Sequence, residues 1–481
     1  MASTTTASTS LKHPPNRSAS LSPNAVGIIA ILILAPLIAL LAASAELTTI
    51  GIFAAALLLL LVVLWSSEAT FYVLILSMLL SPEFIVGQLG GESAATASRG
   101  VTLRLDDYVI LIISFAWLIR LAVFKEAALL RRTPLNAPIL VYLTFAALVT
   151  LWGGMMERLN LLTGVFFILK YLEYAFIYFL VVNYVRDRTQ VRRLLIAVLA
   201  TAVIISIIGL AQIPAGGRIS APFEGERGEP NTLGGYLVFT MALALAYLGE
   251  ARTAKERFAW LAAVAIMTVP LAFTYSRTSW LAFVVMLCAT ILLSRNKTIF
   301  LLLISAGLVF LVLSPPQALL ERATYTLSSH RDSVSFLGYT IEPSAAARLE
   351  AWVTAARVLT KYPVTGAGVT GAGLIDAQYP RILAETGLIG FGLFCWMVWR
   401  LFGTGFRLRR LACNRTESVL AAGFLAGFAG ILMHGIGANT FIIVRIMEPM
   451  WMIVGLIGAS LLMHQDQSRQ TPGAAAPGVE A

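Results

Sequence analysis

Apolar runs recur along nearly the whole chain, most of them close to the roughly 20 residues an α-helix needs to cross about 30 Å of hydrocarbon. They lie at about 25–43, 48–65, 69–81, 107–124, 137–154, 164–184, 194–212, 231–249, 259–274, 278–294, 298–315, 385–403, 417–434 and 444–463. The predicted architecture is therefore all-α: a polytopic bundle of about fourteen membrane helices, with one large outer-face loop, 316–384, containing short amphipathic helices. The run at 69–81 is the shortest and ends at Pro82-Glu83, so a re-entrant segment is its other reading. The run from Ala25 ends near Ala43-Ser44-Ala45, which resembles a signal-peptidase site. Its apolar stretch exceeds the usual 7 to 15 residues of a signal peptide, and a retained first helix is expected.

The polar stretches between the runs set the orientation. With a cytoplasmic start and every run crossing, the loops at 125–136, 185–193, 250–258, 295–297 and 404–416 face the cytoplasm. They carry Lys125, Arg131 and Arg132; Arg186, Arg188, Arg192 and Arg193; Arg252, Lys255 and Arg257; Arg295 and Lys297; Arg407, Arg409, Arg410 and Arg415. Dropping one span would put the later clusters on the wrong side of the positive-inside rule, which argues that 69–81 crosses. Four regions follow: a Ser/Thr/Ala/Pro-rich tail at 1–24 that cannot bury a core, an N-terminal membrane region at 25–199, a second membrane region at 200–463 that includes the outer loop, and a tail at 464–481.

Composition sharpens this picture in two ways. Of 481 residues, 58% are apolar and only 12% charged, about half the usual charged share of soluble domains. The net charge of +10 would suggest a nucleic-acid partner in a soluble protein; here it records topology, and no nucleic-acid partner is expected. The longest internal cytoplasmic loop, 404–416, is too small to bind a nucleotide, and GxxxxGK[ST] is missing, so any chemistry must use a substrate that brings its own leaving group. No fixed-period repeat and no inverted pair of Gly/Pro-broken helices marks a transporter. Cys288, Cys395 and Cys413 share no plausible aqueous compartment, which argues against a disulfide framework.

Several motifs admit a plain reading beside a functional one. Gly366-Ala367-Gly368-Val369-Thr370-Gly371 spells GxGxxG, but outside any βαβ context; it is a flexible, tightly turned loop, or else a row of amides lining an anion site. Before it, Ser344 to Thr360 reads as an amphipathic helix with Leu349, Trp352, Val353, Ala356 and Leu359 on one face, lying on the membrane surface or lidding a cavity. Asp106 and Asp107 open a span, where capping competes with metal binding or base chemistry. Lys170 and Glu173 lie i, i+3 inside a span, either neutralising each other or lining a cavity, and Arg445 and Glu448 repeat that spacing. Arg120 and Arg400 lie near span ends and snorkel. The histidines at 13, 330, 434 and 464 lack HxxxH or HExxH spacing, so neither a metal nor another cofactor is expected. His434, at the outer end of a span, either touches substrate or simply ends a helix.

The arginines assigned to the outer face are the sharper signal, because insertion disfavours positive charge there. Arg218 and Arg227 flank Pro222-Phe223-Glu224, Arg277 lies in Ser276-Arg277-Thr278-Ser279, and Arg348 and Arg381 bracket the large loop. A guanidinium fork grips phosphate oxygens in two places, as the diphosphate of a lipid at this depth would require. Pairing with Glu224, Glu226 or Glu229 is the plain account.

Taken in order, several segments resemble the O-antigen ligase and polymerase superfamily of bacterial membrane glycosyltransferases. They are Pro222-Phe223 with Pro230-Asn231-Thr232-Leu233-Gly234; Ser276-Arg277; Arg348 with Trp352; Tyr362-Pro363-Val364-Thr365-Gly366-Ala367-Gly368; and Tyr379 with Leu383-Ala384-Glu385-Thr386-Gly387-Leu388-Ile389-Gly390. The resemblance covers roughly 200–460. It implies a GT-C type enzyme at the outer face of the bacterial cytoplasmic membrane. Such an enzyme moves glycan from an undecaprenyl diphosphate-linked oligosaccharide to a glycan or lipid acceptor, metal-free and with inversion, among membrane lipids. The arginines implied to hold the diphosphate map onto Arg277 and Arg218; Arg348, Arg381, Asn231, Tyr379, Lys170 and His434 are further candidate substrate contacts. One departure stands out: where ligases of the family carry His ahead of the Tyr and the Gly-x-x-Gly, this chain has Asp376. Asp376 can still act as base if a neighbour such as Arg381 keeps it ionised, and the change favours a polymerase over a ligase acting on lipid A core. A transporter of lipid-linked sugars is the rival class.

Overall fold

A computed structural model describes residues 58–62, 66–81, 83–85, 102–124, 131–222, 228–294, 297, 334–336, 339–341, 343–373 and 375–470. The chain divides into two compact units, Met1–Ser66 with Ile112–Leu129 and Ser67–Leu111 with Leu130–Ala481, and the site lies within the second. Twelve labelled helices follow in order among the described residues: α1 (Ser67–Leu80), α2 (Leu105–Phe124), α3 (Asn136–Met155), α4 (Leu161–Tyr184), α5 (Arg188–Gln212), α6 (Pro230–Gly249), α7 (Ala254–Phe273), α8 (Arg277–Leu293), α9 (Pro343–Lys361), α10 (Gln378–Leu411), α11 (Arg415–His434) and α12 (Val444–Gln470). Two short antiparallel ladders interrupt the helices, pairing Glu83–Ile85 with Thr102–Arg104 and Val334–Phe336 with Tyr339–Ile341.

Eight of these helices are long and apolar enough to cross a membrane, which supports a multi-pass membrane protein. They match the runs predicted from 137–154 through 259–274 and from 385–403 onward, while α1 and α8 are shorter apolar helices. The predicted spans at 25–43 and 298–315, and most of 48–65, lie outside the described residues.

Helix starts follow local chemistry. Asn160, Thr253, Ser276 and Asn414 each accept an early amide of the helix they cap, and Pro230, which has no amide to lose, starts α6. In a lipid solvent helices associate by close packing rather than by exclusion from water, so small residues mark the contacts. Gly423, Gly427 and Gly430 of α11 lie against Leu243, Phe239 and Val238 of α6, where an added Cβ would come within 2.7 to 2.8 Å of a side chain. Helices α6 and α12 are accordingly almost wholly buried, α11 is sandwiched between α6 and α8, and α12 packs on α4.

Candidate active site at the start of α8

The connection from α7 to α8 gathers the candidate residues. Ser276 caps α8 through Ser279 N at 3.2 Å and donates its own hydroxyl to Asn231 Oδ1 of α6 at 2.6 Å. Ser279 Oγ donates to Ser276 Oγ at 2.8 Å and contacts His434 Nε2 at 3.1 Å, while His434 Nδ1 meets Thr440 Oγ1 at 2.7 Å. This polar row runs through a buried region, and it exists because α6 approaches closely: a Cβ on Gly234 would lie 2.1 Å from Ser279 Oγ, and one on Gly235 would lie 3.1 Å from the His434 ring. His434 is fully buried with both ring nitrogens engaged. Of the two readings, substrate contact or helix end, this geometry favours a structural one in which it holds Ser279 and Thr440 in place.

Three arginines lie on the segments next to this row. Arg277 is the first residue of α8 and half-buried; Arg218 is exposed and donates Nε to Thr274 O, three residues away, at 3.0 Å. Arg348 of α9 donates Nη2 to Thr278 Oγ1 at 3.1 Å and Nε to Gly437 O at 3.2 Å. The loop from Gly435 to Ile443 completes the site. Asn439, two residues along that loop from the Gly437 carbonyl that accepts Arg348, donates Nδ2 to Ile375 O at 2.6 Å and reaches Oδ1 of the exposed Asp376, on a separate segment, at 3.5 Å. Tyr379 fixes the start of α10 by donating to Leu432 O at 2.5 Å, and Gln378 Oε1 accepts from Phe441 N at 2.9 Å.

Helix α9 is amphipathic as predicted, but a different face does the packing. Ala346, Ala351 and Ala355 are buried, the last two against Ile375, Ala377 and Ala384, whereas Leu349 and Trp352 are 46% and 48% exposed. Small residues allow close helix approach, and Arg348 shares their face at i, i+3 and i+7 spacing. The alanine stripe thus delivers Arg348 to Thr278.

The GxGxxG stretch is neither a loose loop nor an open row of amides. Gly387 has φ 64° and ψ −167°, which breaks α10 and frees the carbonyls of Ala384 and Glu385. Ala367 N and Gly368 N donate to them, each at 2.9 Å, and in return Leu388 N donates to Pro363 O at 3.0 Å. Val369 N goes to Thr150 Oγ1 and Thr370 N to Glu385 Oε1. Since these amides are spent on the protein, the segment is a fixed brace behind Asp376 and offers no anion site.

Two other candidate residues have partners of their own. Arg381 is buried but turns to Glu385 one helical turn on, at 2.8 Å, and stacks 5.1 Å above the Phe167 ring. The i, i+4 partner on its own helix captures it, so it does not serve Asp376. Lys170 belongs to a separate buried ionic cluster: it binds Asp107 as well as Glu173, the latter at 3.2 Å, beside an Arg104–Asp106 pair at 3.0 Å. Asp107 also accepts Arg104 N at 2.9 Å. Arg445, which repeats the Lys170–Glu173 spacing with Glu448, donates to Pro222 O and Ser81 O and thereby ties this cluster to the segment that precedes α6.

Residues 262–395 match the family described as O-Antigen ligase. The match supports membership of the O-antigen ligase and polymerase superfamily. The O-antigen ligase segment runs from within α7 to within α10 and contains Arg277, Arg348, Asp376, Tyr379 and Arg381, while Asn231, Arg218, Lys170 and His434 lie outside it. No curated protein matches the chain. The residues that sequence reasoning passed over are Asn439 and Thr440. Their signal was polarity: Asn439-Thr440 are the polar residues in a short link between two apolar runs, next to a histidine.

Proposed function

We propose that the protein is a glycosyltransferase of the outer face of the bacterial inner membrane. It would elongate or transfer a glycan carried on undecaprenyl diphosphate, in the manner of an O-antigen or exopolysaccharide polymerase. The O-antigen ligase match supports that class of activity in general terms. The observation that supports the finer reading is that Arg218 and Arg348 contact the residues flanking the start of α8, where Arg277 is the first residue, with the exposed carboxylate of Asp376 reached from the neighbouring loop by Asn439.

In this reading Arg277 and Arg218 hold the diphosphate, and Arg348, fixed between Thr278 and Gly437, adds positive charge beside them. As the anomeric carbon–oxygen bond breaks, negative charge grows on the departing diphosphate. Fixed cationic donors in a partly dehydrated site stabilise that charge more than the ground state. Asp376 accepts the proton of the incoming hydroxyl as that oxygen forms the new bond on the opposite face, which inverts the anomeric centre. Asn231 and Tyr379 shape the pocket, His434 positions the α8 turn, and Lys170 and Arg381 act through structure.

The deciding experiment supplies purified protein with a polyprenyl diphosphate oligosaccharide. Release of polyprenyl diphosphate with a ladder of longer products supports a polymerase. A single addition to a lipid A core acceptor means ligase, and movement of the lipid across vesicles without any release means transporter.

A further inference from the structure

The far end of α11 carries a second constellation that glycan transfer does not use. Helix α11 has 20 residues, so this end lies about 30 Å along the bundle from His434. Asn414 caps the helix by accepting Glu417 N at 2.9 Å, and the resulting turn brings Cys413 N to Glu417 Oε2 at 3.1 Å. The same oxygen lies 3.6 Å from Cys413 Sγ and 3.0 Å from His464 Nε2, which arrives from the end of α12. One ligand atom from each of the three residues falls within 4.8 Å of the others.

We infer that Cys413, Glu417 and His464 form a binding site for a zinc-class divalent cation. Sulfur, carboxylate oxygen and imidazole nitrogen are the donors zinc takes. Bond lengths of about 2.0 Å to nitrogen or oxygen and about 2.3 Å to sulfur, at tetrahedral angles, put ligand atoms about 3.3 to 3.5 Å apart. The Sγ–Oε2 and Nε2–Oε2 spacings of 3.6 and 3.0 Å lie close to those values, and the Sγ–Nε2 separation stays within 4.8 Å. A thiolate and a carboxylate neutralise the ion's two charges. Glu417 is 2% exposed, and its Oε1 has no hydrogen-bond partner among the described residues, with the Arg188 guanidinium beside it at 3.5 Å. Arg188 Nη1 also donates to Cys413 Sγ at 2.9 Å, the outer-layer hydrogen bond that orients a metal-bound sulfur. A Glu417–His464 ion pair alone accounts for the buried carboxylate, but gives no reason for the sulfur beside the same oxygen.

Cys413 also borders a cavity of about 270 Å³ shared with Glu250, Arg252, Arg409 and Arg415. The cavity gives the ion a way in and a water for the fourth position. Bound there, the ion would clamp the start of α11 to the end of α12, the two helices whose other ends hold the 435–443 loop of the transfer site.

The test uses full-length protein purified without a polyhistidine tag, incubated with zinc and desalted. About one zinc per chain is expected by elemental analysis, and Cys413→Ser and His464→Gln should each lose it while keeping the wild-type helical circular dichroism. Cobalt in place of zinc should give a sulfur-to-cobalt charge-transfer band that Cys413→Ser removes. Zinc added to metal-stripped wild type should raise the melting temperature, a readout that needs no variant to fold. Substoichiometric zinc in the wild type, or equal retention by both variants, overturns the assignment.

Discussion

Replacing Gly387 with alanine tests how α10 and the 363–368 segment hold each other. The residue occupies a backbone region open almost only to glycine, so a side chain there costs about 1–3 kcal/mol in strain. The new methyl would also meet backbone, lying 2.5 Å from Val364 O and 2.6 Å from Gly366 N. Relief requires the two segments to separate, at the expense of at least one of the bonds Ala367 N to Ala384 O, Gly368 N to Glu385 O or Leu388 N to Pro363 O. A buried polar group left unpaired costs about 1–3 kcal/mol. The sum is about 2–6 kcal/mol, several degrees in the melting temperature of detergent-solubilised protein followed by intrinsic fluorescence. Gly392→Ala in the same helix is the internal control: nothing lies within 4 Å of its Cβ, and the change should be neutral or stabilising by about 0.5–1 kcal/mol. The reasoning fails if Gly387→Ala melts together with wild type and Gly392→Ala.

Three further changes probe the chemistry and the ionic cluster. Arg277→Lys keeps the charge and loses the fork, so product formation should fall at least about tenfold in kcat/KM, or about 1.4 kcal/mol of transition-state stabilisation; near-wild-type polymer would remove Arg277 from the site. Asp376→Asn should lower kcat about 10²- to 10⁴-fold while leaving the melting temperature unchanged, because the residue is exposed; full activity would assign the base elsewhere. Lys170→Met leaves Asp107 and Glu173 without their shared cation and should destabilise the protein by about 3–5 kcal/mol in thermal melts, and unaltered melting would show that the cluster balances its charge another way.

Much of the bundle was legible because a bilayer permits few alternatives: a helix that must satisfy its own backbone in lipid announces itself by apolar length. The start of α8 was also legible, since a serine cap, an arginine and a second serine within four residues are polar letters in an apolar text. Partner choice was not. Lys170 finds Asp107 across 63 residues, and the pairing depends on how α2 and α4 meet. Arg381 finds Glu385 within its own helix, a pairing that i, i+4 spacing allows but that the nearness of Asp376 in sequence obscured. The α9 packing face was hidden because alanine counts for little in a hydropathy pattern yet is what lets two helices touch. The break at Gly387 was hidden because hydropathy carries no information about φ.

The row from His434 to Asn231 has a direction. Ser276 spends its proton on Asn231 Oδ1 and Ser279 spends its proton on Ser276, so Ser279 has only a lone pair to offer His434 Nε2. The imidazole then carries its hydrogen on Nε2, and its Nδ1 lies 2.7 Å from Thr440 Oγ1. At the other end, Asn231 Oδ1 takes the Ser276 proton, so the oxygen side of that carboxamide is spoken for and its nitrogen is the side left to donate. A histidine between two helices thus sets, through two serine hydroxyls, which end of a carboxamide on a third helix accepts and which donates.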